Sequence, residues 1–280
     1  MAGTLFLCAT PIGNLEDMTY RVVRVLNEVD LIAAEDTRNS IKLLNHFDIH
    51  TPMTSYHEYN KIDKGHALVD KLLAGQNIAL ITDAGMPGIS DPGEELVRMA
   101  YEAGITVTVL PGACACVTAL TLSGLPTRRF AFEAFLPMDK KERKAAIEAV
   151  RTELRTVVMY EAPHRLVRTL TELCEALGGE RQIRVLRELT KKHESRFAGT
   201  LSEAVAFYTE HEPKGECVLV LEGRPEEELI REQAESWQEL TIEEHVARYE
   251  ATGVDRKEAM KLVAKERGIS KRDVYQELLK

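Results

Sequence analysis

The chain reads as an α/β protein: two α/β domains followed by a small helical tail. Three observations carry that expectation. Short apolar runs alternate with amphipathic stretches over the first 220 or so residues, which is the pattern of strands joined by helical crossovers. The composition shifts at Leu125-Pro126-Thr127 and again after Gly223, where the chain turns acidic and poor in strand formers. The last forty residues carry three short helical patterns and no strand signal.

Taken in order, Thr4 to Cys8 is a buried strand. Tyr20 to Val29 is a helix with Val22, Val23, Leu26 and Val29 on one face, and Leu31 to Ala34 is a second strand. Ser40 to Phe47 and Lys64 to Ala74 read as helices, Asn77 to Ile81 as a strand, Glu94 to Ala103 as a helix and Thr106 to Leu110 as a strand. Strands separated by helices imply parallel pairing. Pro111-Gly112 then breaks the chain before an Ala- and Leu-rich helix that ends near Ser123-Gly124, and residues 1–120 form the first expected domain.

The second expected domain is 121–225. Arg129 to Leu136 alternates with aromatics, Lys140 to Val150 is a charged amphipathic helix and Thr156 to Tyr160 is a strand. Leu166 to Leu177 is a helix, and Gln182 to Glu188 and His193 to Ala198 are strands. The helix Leu201 to Tyr208 and the strand Cys217 to Leu221 complete a unit with a mixed sheet. A linker is expected between Gly223 and Gln238, and the third region, 226–280, has the helices Ile242 to Glu250, Arg256 to Glu266 and Ser270 to Leu279. Gly268-Ile269-Ser270 is a glycine stop followed by a serine N-cap, the tight turn of a helix-turn-helix. That tail is either a plain helical bundle or a nucleic-acid docking element. Lys257, Lys261, Lys265, Lys271 and Arg272 favour the second reading, and the acidic residues between them weaken it.

Composition narrows the function classes. A hydrophobic content of 44% with 29% charged residues is ordinary for a globular protein, and no apolar run approaches the roughly 20 residues of a membrane span. The first residues lack the basic flank of a secretory signal, and five cysteines, an odd number, argue against a disulfide framework; the expected compartment is the cytoplasm. Cys114 and Cys116 are too close in sequence for a zinc knuckle, so they read as small packing residues and no metal is expected. A net charge of −9 argues against broad nonspecific nucleic-acid binding and leaves room for a local basic surface. The chain has no G-x-S-x-G elbow, no H-E-x-x-H helix and no kinase signature.

The most informative stretch is Leu80 to Gly93, LITDAGMPGISDPG. A buried strand runs into a loop with three glycines, two prolines and two aspartates ahead of a helix. Glycine lets backbone approach a ligand closely and proline stiffens the turn. The loop lacks both the Gly-Lys-Ser/Thr ending of a phosphate loop and the G-x-G-x-x-G spacing of a dinucleotide fold, so the expected ligand is nucleotide-like and recognised through carbonyls and carboxylates. Four further polar segments sit at strand ends, where open α/β sheets bind ligands: Thr10–Leu15, Ala34–Arg38, Tyr160–Arg165 and Arg187–Glu194. Each competes with a plainer reading as a capped helix start or a solvated turn. His57, in the loop Ser55–Asn60, is by itself an ordinary surface histidine.

In order and spacing, TPIGNL at Thr10, AEDTR at Ala34, the DAGMPGISDPG loop, LPG at Leu110, YEAPHR at Tyr160, RELTKKHE at Arg187 and KGE at Lys214 resemble one family. It is the ribosomal RNA small subunit methyltransferase I family, a branch of the tetrapyrrole methylase superfamily. The resemblance runs from about Thr4 to Gly223, and the tail is similar to that family's C-terminal helical domain. It implies a donor cleft between the two α/β domains, S-adenosylmethionine as methyl donor, and a cytidine ribose 2′-hydroxyl in the decoding region of small-subunit ribosomal RNA as acceptor. It also implies a homodimer acting on that RNA within the small ribosomal subunit, with no membrane partner.

Carried over residue by residue, Pro11, Asp83, Gly85, Met86, Pro87, Ile89 and Ser90 line the donor site from one side, and Cys114, Ala115, Leu136 and Tyr160 close it from the other. The chain departs from the family pattern at Cys114, where serine is usual, and at Ala134, where glycine is usual. Because a ribose hydroxyl is a weak acid, a base is expected beside it, with Glu35, Asp36, His57 and Glu161 as candidates. Arg38, His164, Arg165, Lys191 and Lys192 form the expected RNA-facing set. Two rivals stand beside this reading: a tetrapyrrole methyltransferase of the uroporphyrinogen or precorrin type, whose carboxylate-rich substrate favours a basic pocket, and a nonenzymatic nucleic-acid-binding regulator.

Overall fold

Alternating side chains explain the first layer. The computed structural model describes residues 1–225, 228 and 240–279. In its first half, β1 (Thr4–Cys8), β2 (Leu31–Ala34), β3 (Met53–Ser55), β4 (Ile78–Ile81) and β5 (Thr106–Leu110) form an all-parallel sheet ordered β3-β2-β4-β1-β5. Along β4, Ala79 and Ile81 pack with Val22, Leu26 and Leu44 from α1 (Tyr20–Glu28) and α2 (Thr37–His46). Ile78 and Leu80 pack on the opposite face with Leu68, Leu72, Leu96 and Ala100 from α3 (Lys61–Leu73) and α4 (Gly93–Glu102). Both faces are covered, which is why these strands read as continuous apolar runs.

The second layer set is mixed, as expected. Following α5 (Ala115–Ser123), β6 (Phe130–Phe135), α6 (Lys140–Thr152), β7 (Thr156–Glu161), α7 (Pro163–Leu177), β8 (Gln182–Arg187), β9 (Ser195–Thr200), α8 (Leu201–Glu210) and β10 (Cys217–Leu221) build a sheet ordered β6-β7-β10-β8-β9. Only β6 and β7 pair in parallel. Val157, Met159, Leu219 and Leu221 face α6, α7 and α8, whereas Val158, Val218 and Val220 face Cys116, Ala119 and Leu120 of α5 together with Ile12 and Leu189. The helix at the end of the first expected domain thus joins the core of the second sheet.

Several boundaries differ from the sequence expectation for identifiable reasons. β3 was not foreseen, since it has three half-buried residues and no apolar run. α2 begins at Thr37 and not at Ser40, because the Asp36 side chain accepts a hydrogen bond from the Arg38 N–H and caps it. The strand expected at His193 starts at Ser195, after a turn in which Thr190 N donates to Glu194.

The chain divides into two compact units, Met1–Arg151 with Arg155–Glu222 and Thr152–Leu154 with Gly223–Lys280. Most of the linker expected from Gly223 to Gln238 lies outside the described residues. In the second unit, α9 (Ile242–Ala251), α10 (Arg256–Glu266) and α11 (Lys271–Glu277) share their own core of Val246, Ala259, Met260, Val263 and Val274. Ser270 caps α11 in a reciprocal box with Asp273. Among the described residues no helix is long and apolar enough to cross a membrane.

Candidate active site

The strand-end loops of the parallel sheet are stitched together through backbone. Beyond β1, Thr10 N donates to Gly85 O at 2.9 Å and Gly85 N returns the bond to Thr10 O at 3.1 Å, while Thr10 Oγ1 donates to Thr82 O at 3.1 Å. Gly85 has φ +87°, and a Cβ there would lie 3.1 Å from Ile12 Cγ2 and 3.4 Å from Ala113 O. Three loops therefore converge at a point that only glycine tolerates. The rest of the loop wraps around Asp91, whose carboxylate accepts N–H bonds from Gly88 (2.8 Å), Ile89 (3.2 Å) and Gly93 (2.7 Å). This Asx-type arrangement fixes the turn into α4.

The facing wall comes from β6, β7, β10 and the N-terminus of α5. Tyr160 packs its ring against Phe132 and Phe135, with centroids 5.0 and 5.5 Å apart. Next to it, Glu161 is buried and bound on both oxygens. Oε1 accepts from Ala162 N at 2.8 Å and pairs with Arg165 Nε at 2.9 Å, and Oε2 accepts from Thr169 Oγ1 at 2.5 Å. Thr169 in turn accepts from Arg143 Nη2 at 2.7 Å, and Arg143 Nε is 2.6 Å from Glu172 Oε2.

Between the walls lies a cavity of about 380 Å³. From the expected donor set it brings together Asp83, Gly85, Met86, Ile89, Ser90, Cys114, Ala115 and Tyr160. Pro11, Pro87 and Leu136 are buried outside its lining, Leu136 in the core of the second sheet. Of the base candidates, Glu35 and Glu161 line it, and Asp36 and His57 do not. None of Arg38, His164, Arg165, Lys191 and Lys192 reaches the lining. Sequence reasoning had not assigned Ile12, Asp91, Phe135, Leu189 or Glu216 to the site, although all five lie in or beside the motifs it singled out.

Electrostatics separates the candidates. Glu35 Oε2 accepts from Thr82 Oγ1 at 2.5 Å and from Asp83 N at 3.3 Å, leaving its other oxygen without a hydrogen-bond partner among the described residues. Asp36 is gripped by Arg38, which donates from its backbone N–H (2.8 Å), Nε (3.0 Å) and Nη2 (2.7 Å). These bonds hold its carboxyl down at about 2, too weak a base for the expected role. Partial burial pushes the Asp83 carboxyl up, and the nearby Glu35 and Asp36 push the same way against a bond from Asn39. Glu161, expected as a base, has its oxygens committed to the buried network. His57 is held by Asn60, whose Oδ1 accepts the His57 backbone N–H at 2.8 Å and whose Nδ2 lies 3.2 Å from the ring Nε2. The expected RNA contacts Arg165 and Lys191 are also engaged, Arg165 by Glu161 and Lys191 by Glu188 (2.9 Å) and Glu216 (2.8 Å). Lys192 and His164 remain exposed.

Residues 4–205 match the model of the tetrapyrrole (corrin/porphyrin) methylases. Over 98% of this chain and 93% of the relative, it is 51% identical to the ribosomal RNA small subunit methyltransferase I of Halalkalibacterium halodurans. The chain belongs to the ribosomal RNA small subunit methyltransferase I family. The family member of Bacillus subtilis is 48% identical over the same shares of the two chains. The fold of this family member is also that of a uroporphyrin-III C-methyltransferase from Thermus thermophilus solved with S-adenosyl homocysteine, at TM-score 0.54 and 19% identity over 79% of this chain and 92% of that one. Diphthine synthase shares it at TM-score 0.63 and 13% identity, over 78% and 89%. In this family member, then, the glycine-rich loop after β4 and the acidic segment after β2 meet at one cavity.

Proposed function

We propose that the protein transfers a methyl group from S-adenosylmethionine to the 2′-hydroxyl of a cytidine in the decoding region of small-subunit ribosomal RNA. One observation carries the donor reading: among the described residues the cavity is lined by five carboxylates, Glu35, Asp83, Asp91, Glu161 and Glu216, and by no Lys, Arg or His, and of these Glu161 and Glu216 are paired with Arg165 and Lys191 outside the lining. Such a lining favours a ligand bearing a sulfonium and an ammonium and disfavours one bearing phosphates. The volume falls within the roughly 300–1,000 Å³ of small-molecule sites. Met86, Ile89, Phe135 and Tyr160 supply apolar walls for an adenosine. Relatives at 48–51% identity named for small-subunit ribosomal RNA support the acceptor. A tetrapyrrole acceptor is less well supported, since its carboxylates would meet the lining Glu35 and Asp83.

When bound, S-adenosylmethionine supplies an electrophilic methyl carbon whose bond to sulfur breaks as the ribose oxygen attacks. The chain's own task is alignment, for which positioning can contribute roughly 7–11 kcal/mol, and proton removal. Glu35 is the base in this reading, because it lines the cavity and keeps an oxygen free. Lys192 is exposed for RNA phosphates, and Arg38, exposed but bonded to Asp36, reaches them by releasing that carboxylate. The protein acts as a homodimer in the cytoplasm, which light scattering and fractionation of tagged protein test.

The deciding experiment maps, by mass spectrometry, the nucleotide methylated when the purified protein and donor are added to small ribosomal subunits lacking the modification. A single 2′-O-methylcytidine supports the reading; methylation of a uroporphyrinogen-type substrate and not of subunits overturns it. Glu35→Gln is expected to lower turnover by about a hundred- to ten-thousandfold with donor affinity within a few-fold. Unchanged turnover removes Glu35 from the base role.

A further inference from the structure

Two thiols occupy one wall of the cavity with more order than packing requires. Cys114 is the N-cap residue of α5, half-buried, and lines the cavity; Cys116 lies behind it, buried among Ile12, Leu120 and Val218. Their Sγ atoms are 3.4 Å apart. A disulfide needs about 2.05 Å, so the sulfurs must close by about 1.4 Å, within reach of a side-chain rotation at Cys114.

The geometry points to Cys114 and Cys116 as a thiol modification site in which a small, cationic or neutral aliphatic disulfide enters the cavity, reacts at Cys114 and leaves a Cys114–Cys116 disulfide that reshapes the donor wall. This deepens the donor reading of the cavity and rests on it for the consequence, though not for the chemistry. The Cys114 sulfur attacks one sulfur of the reagent RSSR, forming Cys114 Sγ–SR and expelling RS⁻. The Cys116 sulfur gives up its proton to that RS⁻ and attacks Cys114 Sγ, expelling the second RS⁻, which takes up the proton lost by Cys114. Two protein thiols are oxidised by two electrons and one RSSR is reduced to two RSH.

Each sulfur is suited to its part. A hydrogen bond from the Cys116 thiol lowers the Cys114 thiol and the N–H groups at the start of α5 lower it further, whereas its partnership with Cys114 and burial raise Cys116. Cys114, which lines the cavity, is therefore the attacking sulfur, and Cys116, buried behind it, the resolving thiol. The other cysteines lack this setting. Cys8 and Cys217 are buried and raised to about 12 and about 11, and Cys174 lies beside Ser202, away from the cavity. The lining carboxylates, with Glu35, Asp83 and Asp91 outside the Arg165 and Lys191 ion pairs, select the reagent by charge, admitting a diamine disulfide and repelling a dicarboxylate one.

The test exposes the full-length protein to cystamine or to 3,3′-dithiodipropionate and maps the tryptic segment 99–128, which contains Cys114 and Cys116 and no other cysteine. The expected result is a disulfide within that segment, formed about tenfold faster or more with cystamine. S-adenosylhomocysteine affinity, read by calorimetry, is expected to fall at least about tenfold and to return with dithiothreitol. Cys116→Ser is expected to stop at the mixed disulfide on Cys114. If that variant does not fold, the wild-type map still decides. First reaction at Cys8, Cys174 or Cys217, equal rates with the two reagents, or a disulfide that leaves affinity unchanged would each overturn the proposal. Failure of the reduced protein to bind S-adenosylhomocysteine overturns the donor reading instead, and the disulfide is then judged on the map.

Discussion

The two walls of the cavity are built by different means. On the side of the parallel sheet the shape is set by backbone: Gly85 bonded to Thr10, and the Gly88, Ile89 and Gly93 N–H groups gathered on Asp91. On the side of the mixed sheet it is set by side chains, namely the Phe132–Tyr160–Phe135 rings and the buried chain from Arg165 through Glu161 and Thr169 to Arg143 and Glu172. A backbone wall is costly to change in shape and holds one ligand in one pose. A side-chain wall can be altered residue by residue. Damage to the first should therefore fall on donor binding, and damage to the second on stability.

The largest effect is expected at Glu161. Its loss strands Thr169 and Arg165, and removing one partner of a buried ion pair costs about 3–5 kcal/mol, here toward the lower end because the Arg165 side chain keeps 21% exposure. Urea unfolding of Glu161→Ala measures it. If stability is unchanged, the buried network does not hold this wall. Gly93→Ala comes next. A Cβ at Gly93 would lie 2.8 Å from Gly88 N and 3.1 Å from Gly88 Cα, so backbone must move, and overpacking of this kind costs about 1–3 kcal/mol. Calorimetry should show a donor affinity loss of about tenfold or more, out of proportion to the stability change. A variant that is destabilised yet binds donor normally would break the comparison.

How far these contrasts could be read from sequence depends on range. β1, β2, β5, β10 and α10 have the bounds their apolar patterns predict, because strand and helix periods are local. The backbone wall was also legible, since glycine, proline and aspartate at fixed offsets carry their conformational meaning with them. β3 was invisible because three half-buried residues at a sheet edge have no period to detect. The side-chain wall was legible only as positions. YEAPHR and RELTKKHE marked polar strand ends, yet nothing local says that Lys191 is paired with Glu216, twenty-five residues away, or that Glu161 is spent on Thr169. A charge in sequence is unpaired until the fold supplies its partner, so both segments looked freer for chemistry than they are.

Asp83 gives a pH test of the backbone wall. Burial raises its carboxyl in the free protein. The folded chain therefore holds this proton more tightly than the unfolded chain, and the stability it contributes is lost as pH rises from the ordinary aspartate range through the raised value. A cationic donor prefers the ionised form. Donor affinity should thus climb with pH over that window, and Asp83→Asn should flatten the profile, weaken binding at neutral pH and leave the protein no less stable. An unchanged profile in the variant would assign the dependence to another lining carboxylate.

The smallest effect sharpens the other wall. Ala134 has φ +49°, in the left-handed region, at the point where the pairing of β6 with β7 shifts register between Phe132 and Phe135. An alanine in that conformation costs about 1–2 kcal/mol. Glycine relieves the cost and adds unfolded-state entropy that takes back about 0.4–1 kcal/mol. Ala134→Gly should therefore stabilise the protein by about 0.5–1 kcal/mol in urea unfolding. The same change frees Phe135, the next residue and part of the cavity lining, from a strained neighbour. If this wall is tuned through side chains, donor affinity should stay within about twofold while stability rises. A larger change in affinity would mean that the strained turn itself positions Phe135 on the donor, and that backbone sets the shape of both walls.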